Sequence, residues 1–178
     1  MKRRSGMIEP KQLLGMPKHP GAVHWLADYV YGTIATLVAL AGLTFQTNPN
    51  ELTTAGVVIV GALAIWMAHI LSRLVSKRAM DGLELRFADV AKEARNSWSI
   101  VTAAIPATVV FLLAAAHLLT AYAAFVLADI IGVLSLAVVG IGTAGGKDRP
   151  LSRRIFYVLS LIAVGVSIVL LEAGVHLL

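Results

Sequence analysis

Residues 52–71 contain one strongly polar side chain, His69, and match the roughly 20 residues that a helix needs to cross a bilayer. In hydrocarbon every backbone N–H and C=O must find a partner within its own segment or in a closed barrel, so an apolar run of this length constrains the chain to helix. The flanks agree. Asn48 can cap the helix, Pro49 suits its first turn, and Glu51 completes a capping-box spacing with Asn48. At the other end Arg73, Lys77 and Arg78 form a cationic stop.

The same apolar character recurs along the chain. Hydrophobic residues make up 58% of the 178 and charged residues 14%, far below the roughly 25% charge of soluble domains. The sequence therefore predicts a multi-pass membrane protein, with too little polar chain left for a separate catalytic domain. The formal charge of +5 belongs to cations beside apolar spans. There they set topology and meet anionic lipid headgroups, which argues against nucleic acid as a partner. Cysteine is absent, which removes disulfides, thiolate metal sites and cysteine nucleophiles together.

The predicted fold is an all-α, five-helix transmembrane bundle, with spans at about 25–45, 52–75, 98–119, 121–143 and 155–175. A basic tail covers residues 1–21, where Pro10, Pro17 and Pro20 interrupt any long helix, and residues 22–178 form a single transmembrane domain. Trp25, Tyr29 and Tyr31 suit an interfacial aromatic belt at the start of the first span. Between spans two and three, Leu83, Phe87, Val90 and Ala94 share one face of an amphipathic helix, expected to lie along the inner membrane surface or under the bundle. Pro106 is expected to kink the third span. In the fourth, Ala124, Ala128 and Gly132 form a small-residue stripe that permits close helix contact, continued by Gly140.

The fifteen Lys and Arg residues fall into three groups: five in residues 2–18, six in 73–95 and four in 147–154. With five spans all three groups lie on one side. The positive-inside rule then puts the amino terminus in the cytoplasm and the carboxyl terminus outside, in the cell (plasma or inner) membrane.

Ionisable groups at bilayer depth cost about 2.5–3.5 kcal/mol on insertion scales and so mark candidate sites. Asp28, His69 and Arg73 enter from the inner side, and His69 and Arg73 share a helix face. Pairing Asp28 with either would ease its burial, as a staple between two helices or as part of an ion pathway. Asp129 sits deep in the fourth span, hydrogen-bonded to a neighbouring helix or serving as a proton-relay carboxylate. His117, Glu172 and His176 gather near the outer face, but lack the dense ligand spacing of a metal motif. No metal or cofactor is expected.

The motifs of soluble chemistry fail on context. Gly140, Gly142 and Gly145 fit a dinucleotide-type glycine spacing but follow an apolar span, not a strand. Lys147 follows Gly146, yet Ile141 and Asp148 break the phosphate-loop pattern. No catalytic triad or carboxylate pair can be placed at one depth, so the chain reads as non-enzymatic.

Asp28-Tyr-Val-Tyr31-Gly32 in the first span and Trp66-Met-Ala-His69 in the second resemble small multi-pass membrane proteins of bacteria. That resemblance implies an inner-membrane location and no particular activity. Asp28, Trp66 and His69 also resemble the endolysosomal-type potassium channels and their bacterial relatives, which carry a Phe-Ser-Asp signature in the first span and Trp-x-x-His in the second. Leu26 and Ala27 stand here for the Phe and Ser, Ala22 for an upstream arginine, and five spans for six. Two roles follow as expectations: a protein that packs against a second copy or a membrane partner, and an oligomeric ion or proton pathway.

Overall fold

The computed structural model describes residues 20–44, 50–81, 86–143 and 151–175. The basic tail before Pro20, the Asn48–Pro49 cap, Leu83 and the loop at 144–150 lie outside the described residues. Six α-helices and no strands occur among those described: α1 (Pro20–Leu43), α2 (Glu51–Asp81), α3 (Phe87–Asn96), α4 (Ser99–Ala115), α5 (Ala121–Thr143) and α6 (Leu151–Val175).

Local chemistry sets the boundaries. Helix α2 is capped by Asn50, whose Oδ1 accepts from the Thr53 N–H at 3.1 Å. Glu51 is the first helical residue, with Asn50 directly before it as cap, while the Asn48 end of the expected capping box lies outside the described residues. Thr120 caps α5 in the same manner, accepting from the Ala123 N–H. Helix α4 stops at Ala115 because His117 turns into the left-handed region, φ 59°. The His117 N–H then reaches the Ala114 carbonyl and the Leu118 N–H the Leu113 carbonyl, the paired bonds of a Schellman ending.

Among α1, α2, α4, α5 and α6, successive helices alternate in direction. Asp28 near the start of α1 meets Arg73 in the last third of α2, and Trp66 of α2 meets Trp98 at the entrance to α4. Phe111 late in α4 packs edge-to-face on Phe125 early in α5 at 4.8 Å. Gly140 of α5 faces Val158 and Leu161 of α6. Helix α1 touches all five others and supplies the fully buried Leu37 and Leu40.

Two close approaches hold α1 in place. A Cβ on Gly32 would stand 2.6 Å from the Ile100 carbonyl oxygen and 2.8 Å from the Ile100 Cα, so only glycine lets α4 come this near. Leu37 packs on Gly132 of α5, where a Cβ would stand 2.7 Å from its Cδ2, and Gly165 of α6 leaves room for Leu136 and Val133 of α5. Ala124 and Ala128 are buried in the core with Leu40, Val58, Ala107 and Phe111. The small-residue stripe of α5 is thus covered within the chain.

The five-span reading is reduced by helix length. Among the described residues, three helices are long and apolar enough to cross a membrane, within His24–Leu43, Glu51–Met80 and Ala121–Thr143, or four if the bent pair α3–α4 counts as one. Helix α4 has 17 residues because its Schellman turn comes early, and the apolar described part of α6 is Val158–Leu171. The chain is accordingly an all-α protein with helices suited to a membrane. Helix α4 runs through Pro106 as one α-helix, and the sharp bend, 46°, lies between α3 and α4.

Candidate functional site: a buried ion cluster joining three helices

Asp28 lies one turn before Gly32 on the inward face of α1 and is only 3% exposed. An isolated carboxylate there would be strongly disfavoured, and the neighbouring helix answers it. Arg73 Nη2 donates to Asp28 Oδ1 at 2.9 Å, while Arg73 Nη1 donates to Glu93 Oε1 of α3 at 2.7 Å. One guanidinium therefore bridges carboxylates from two other helices, a use that its planar fork of donors suits better than a lysine would. His69, one turn back on α2, brings Nε2 to 3.3 Å from the same Asp28 oxygen. The approach is out of line for a hydrogen bond, and His69 Nε2 is buried without one. The Tyr31 ring stands 5.9 Å from the imidazole.

Helix α3 is held to α2 by matched spacings. Arg73 and Lys77 are four apart on α2, Asp89 and Glu93 four apart on α3, and because the helices run antiparallel the pairs meet as two rungs. Arg73–Glu93 is the close rung, and Lys77–Asp89, at 3.8 Å and partly exposed, is the loose one. The Trp66 indole N–H adds a bond to the Ala94 carbonyl at 3.2 Å and packs edge-on to Trp98 at 5.1 Å. Helix α3 is amphipathic as expected, but its apolar face is not wholly covered within the chain. Val90 and Ala94 are half-buried toward α2, but Phe87 is 86% exposed. Attraction between the acids of α3 and the cations of α2 sets the helix's rotation, and turns Phe87 outward.

Not all the hydrogen-bonding capacity of the cluster is met. Asp28 Oδ2 and Ser99 Oγ are buried with no hydrogen-bond partner among the described residues. Ser99 opens α4 directly before Ile100, whose backbone Gly32 abuts, so the two atoms lie near one level of the bundle. Further along, Thr33, Thr36 and Ser135 line a small cavity together with Pro106, Ala128 and Gly132. Their hydroxyls donate to carbonyls of their own helices, Tyr29, Gly32 and Ile131.

The other sequence candidates do not join this cluster. Asp129 is buried on α5 beside Ala128. From the Gly132–Leu37 contact its level is near Leu40, about 18 Å from Asp28 along the axis at 1.5 Å per residue. His117 is exposed and serves as the left-handed ending residue of α4. For Glu172 the backbone alone is described, on α6, and His176 lies outside the described residues. No group of three or more His, Asp or Glu suited to a metal occurs among the described residues. Sequence reasoning did not single out Glu93; the paired four-residue spacings across the α2–α3 connection were the signal for it.

Comparison with protein-family models, curated proteins and solved structures gives no match. The functional reading therefore rests on the geometry of the chain.

Proposed function

We propose that this chain is a non-enzymatic, multi-pass integral membrane protein that works as a packed helical scaffold. It carries the charged α2–α3 hairpin at its cytoplasmic face for contact with a second copy or a membrane partner. The observation behind this reading is the Arg73 bridge. By pairing with Asp28 and Glu93 at once, it makes the position of α3 depend on α1 and α2. On this reading five helices cross the plasma or inner membrane, with α4 and α6 completing their short spans by local thinning or flanking residues, and the amino terminus lies inside.

A second reading, an oligomeric ion or proton pathway, is favoured by one specific observation. Asp28 Oδ2, His69 Nε2 and Ser99 Oγ are buried with no hydrogen-bond partner among the described residues, at the end where a cytoplasmic entrance would open. Reconstitution separates the two. A scaffold gives proteoliposomes with no more proton or potassium flux than protein-free vesicles, and a defined oligomer or monomer by mass in nanodiscs. Flux above background that Asp28→Asn or His69→Ala alters in rate or pH dependence overturns the scaffold and establishes the pathway.

A further inference from the structure

Helix α3 divides its charges. At about 100° per residue, Asp89, Glu93, Val90 and Ala94 occupy the half that faces α2. The outer half carries Phe87, Ala88, Ala91, Lys92 and Arg95, all exposed. Both acids of the helix are engaged by α2 cations. The free face is therefore cationic and carries an aromatic ring, with Arg86 exposed at the same helix's start.

The level of this face narrows its occupant. Trp66 and Trp98 meet beside Ala94, and paired tryptophans of this kind mark the membrane–water interface. Phe87 is seven residues before Ala94, about 10 Å along the helix at 1.5 Å per residue. With α3 bent 46° from α4, that amounts to about 7 Å along the α4 direction. The headgroup layer is roughly 5–8 Å deep on each side of the hydrocarbon. On the membrane reading proposed above, with α4 along the bilayer normal and the tryptophan pair at the interface, Phe87, Lys92 and Arg95 fall within the headgroup layer and short of open cytoplasm.

We propose that the outer face of α3 is a binding surface for anionic lipid headgroups, with Lys92 and Arg95 meeting the phosphates and Phe87 entering the interface beside them. Two cations beside an aromatic wedge match a monoanionic phospholipid surface in charge and in depth, where a soluble acidic protein would find the face obstructed by lipid. This surface goes beyond the scaffold reading, and it operates equally if the bundle conducts ions.

The absence of cysteine provides a clean probe. The full chain carrying Phe87→Cys, labelled with an environment-sensitive fluorophore, is placed in nanodiscs of phosphatidylcholine with or without phosphatidylglycerol. The expected result is a blue-shifted label shielded from aqueous iodide when phosphatidylglycerol is present. Titration of short-chain phosphatidylglycerol into the detergent-solubilised protein should saturate, and phosphatidylcholine should not reproduce it. Each surface cation contributes roughly fivefold to attraction by an anionic leaflet, so Lys92→Gln with Arg95→Gln should weaken the apparent affinity by roughly 25-fold. Both substitutions lie on the exposed face, so unchanged thermal stability in phosphatidylcholine verifies the fold. Neutralising Lys2 and Lys11 instead should leave the affinity in place; an equal loss there would reduce the effect to net charge and overturn the proposal. A label equally open to iodide in both lipids overturns it too, because the face would then stand in water as a protein-docking surface does.

Discussion

Arg73 and Asp28 form one ion pair, yet removing either should have very different costs. Asp28 is 3% exposed, whereas the Arg73 side chain is 31% exposed and holds a second partner, Glu93. Arg73→Gln strands a buried carboxylate. Breaking a buried pair in this way costs about 3–5 kcal/mol, and the partial exposure of Arg73 together with the nearby His69 puts the expectation at the lower end, about 3 kcal/mol. Asp28→Asn leaves Arg73 paired with Glu93 and still offers it an amide oxygen, so the loss is that of one weakened hydrogen bond, about 1 kcal/mol. In the double variant the buried side chain on α1 is a neutral amide and no charge is stranded, so the total should fall below the sum of the singles by about 2 kcal/mol. Equilibrium unfolding in detergent, followed by tryptophan fluorescence, reads all four proteins, since Trp66 and Trp98 lie against this cluster. Asp28→Asn costing as much as Arg73→Gln, or an additive double variant, would refute the argument that burial of Asp28 governs the site.

The close approach of α1 and α4 predicts that Gly32→Ala destabilises the bundle by about 2 kcal/mol or more, since the intruded atoms are backbone. Gly56→Ala, with nothing within 4 Å, should gain about 0.5–1 kcal/mol from helix propensity in the same unfolding assay. His117→Gly should stabilise by about 1 kcal/mol by relieving the left-handed backbone, and His117→Val should destabilise; the reverse order in thermal unfolding would remove the Schellman account. For topology, single cysteines at Asn50 and Thr120 should react with an impermeant reagent from outside and one at Ser152 should not, whereas labelling of Ser152 alone would invert or break the five-span arrangement.

Where the sequence was informative, one periodicity or one composition decided the matter. Runs of about 20 apolar residues dictate helix because hydrocarbon offers the backbone no other partners, and α1, α2 and α5 occupy the predicted stretches with ends shifted by a few residues. Helix ends were harder to read. Asn48 and Asn50 are both competent caps, and the choice of Asn50 rests on which side chain reaches the Thr53 N–H. His117 carries no sequence mark of a left-handed residue, so the early end of α4, one of the two helices that fall short among the described residues, was not legible.

The cluster shows the same division between what is local and what is not. Spacing alone put His69 and Arg73 on one face, and common depth put Asp28 near them. Glu93 was not singled out, because the expectation for α3 was drawn from its apolar residues alone. That expectation left open whether the apolar side faces the membrane surface or the bundle, and the neighbouring helix bears on the choice. Here the neighbour presents Arg73 and Lys77 on successive turns, and the close charge-assisted bond to Glu93 competes directly with burial of Phe87. Burying a phenylalanine side chain contributes at most about 3 kcal/mol, and much of that is available to Phe87 without any protein contact if its outward position lies in lipid headgroups. If α3 lies at a membrane surface as proposed, the usual penalty for an exposed ring falls away and electrostatics decides the rotation of α3. A soluble protein with the same residues would be expected to turn this helix the other way.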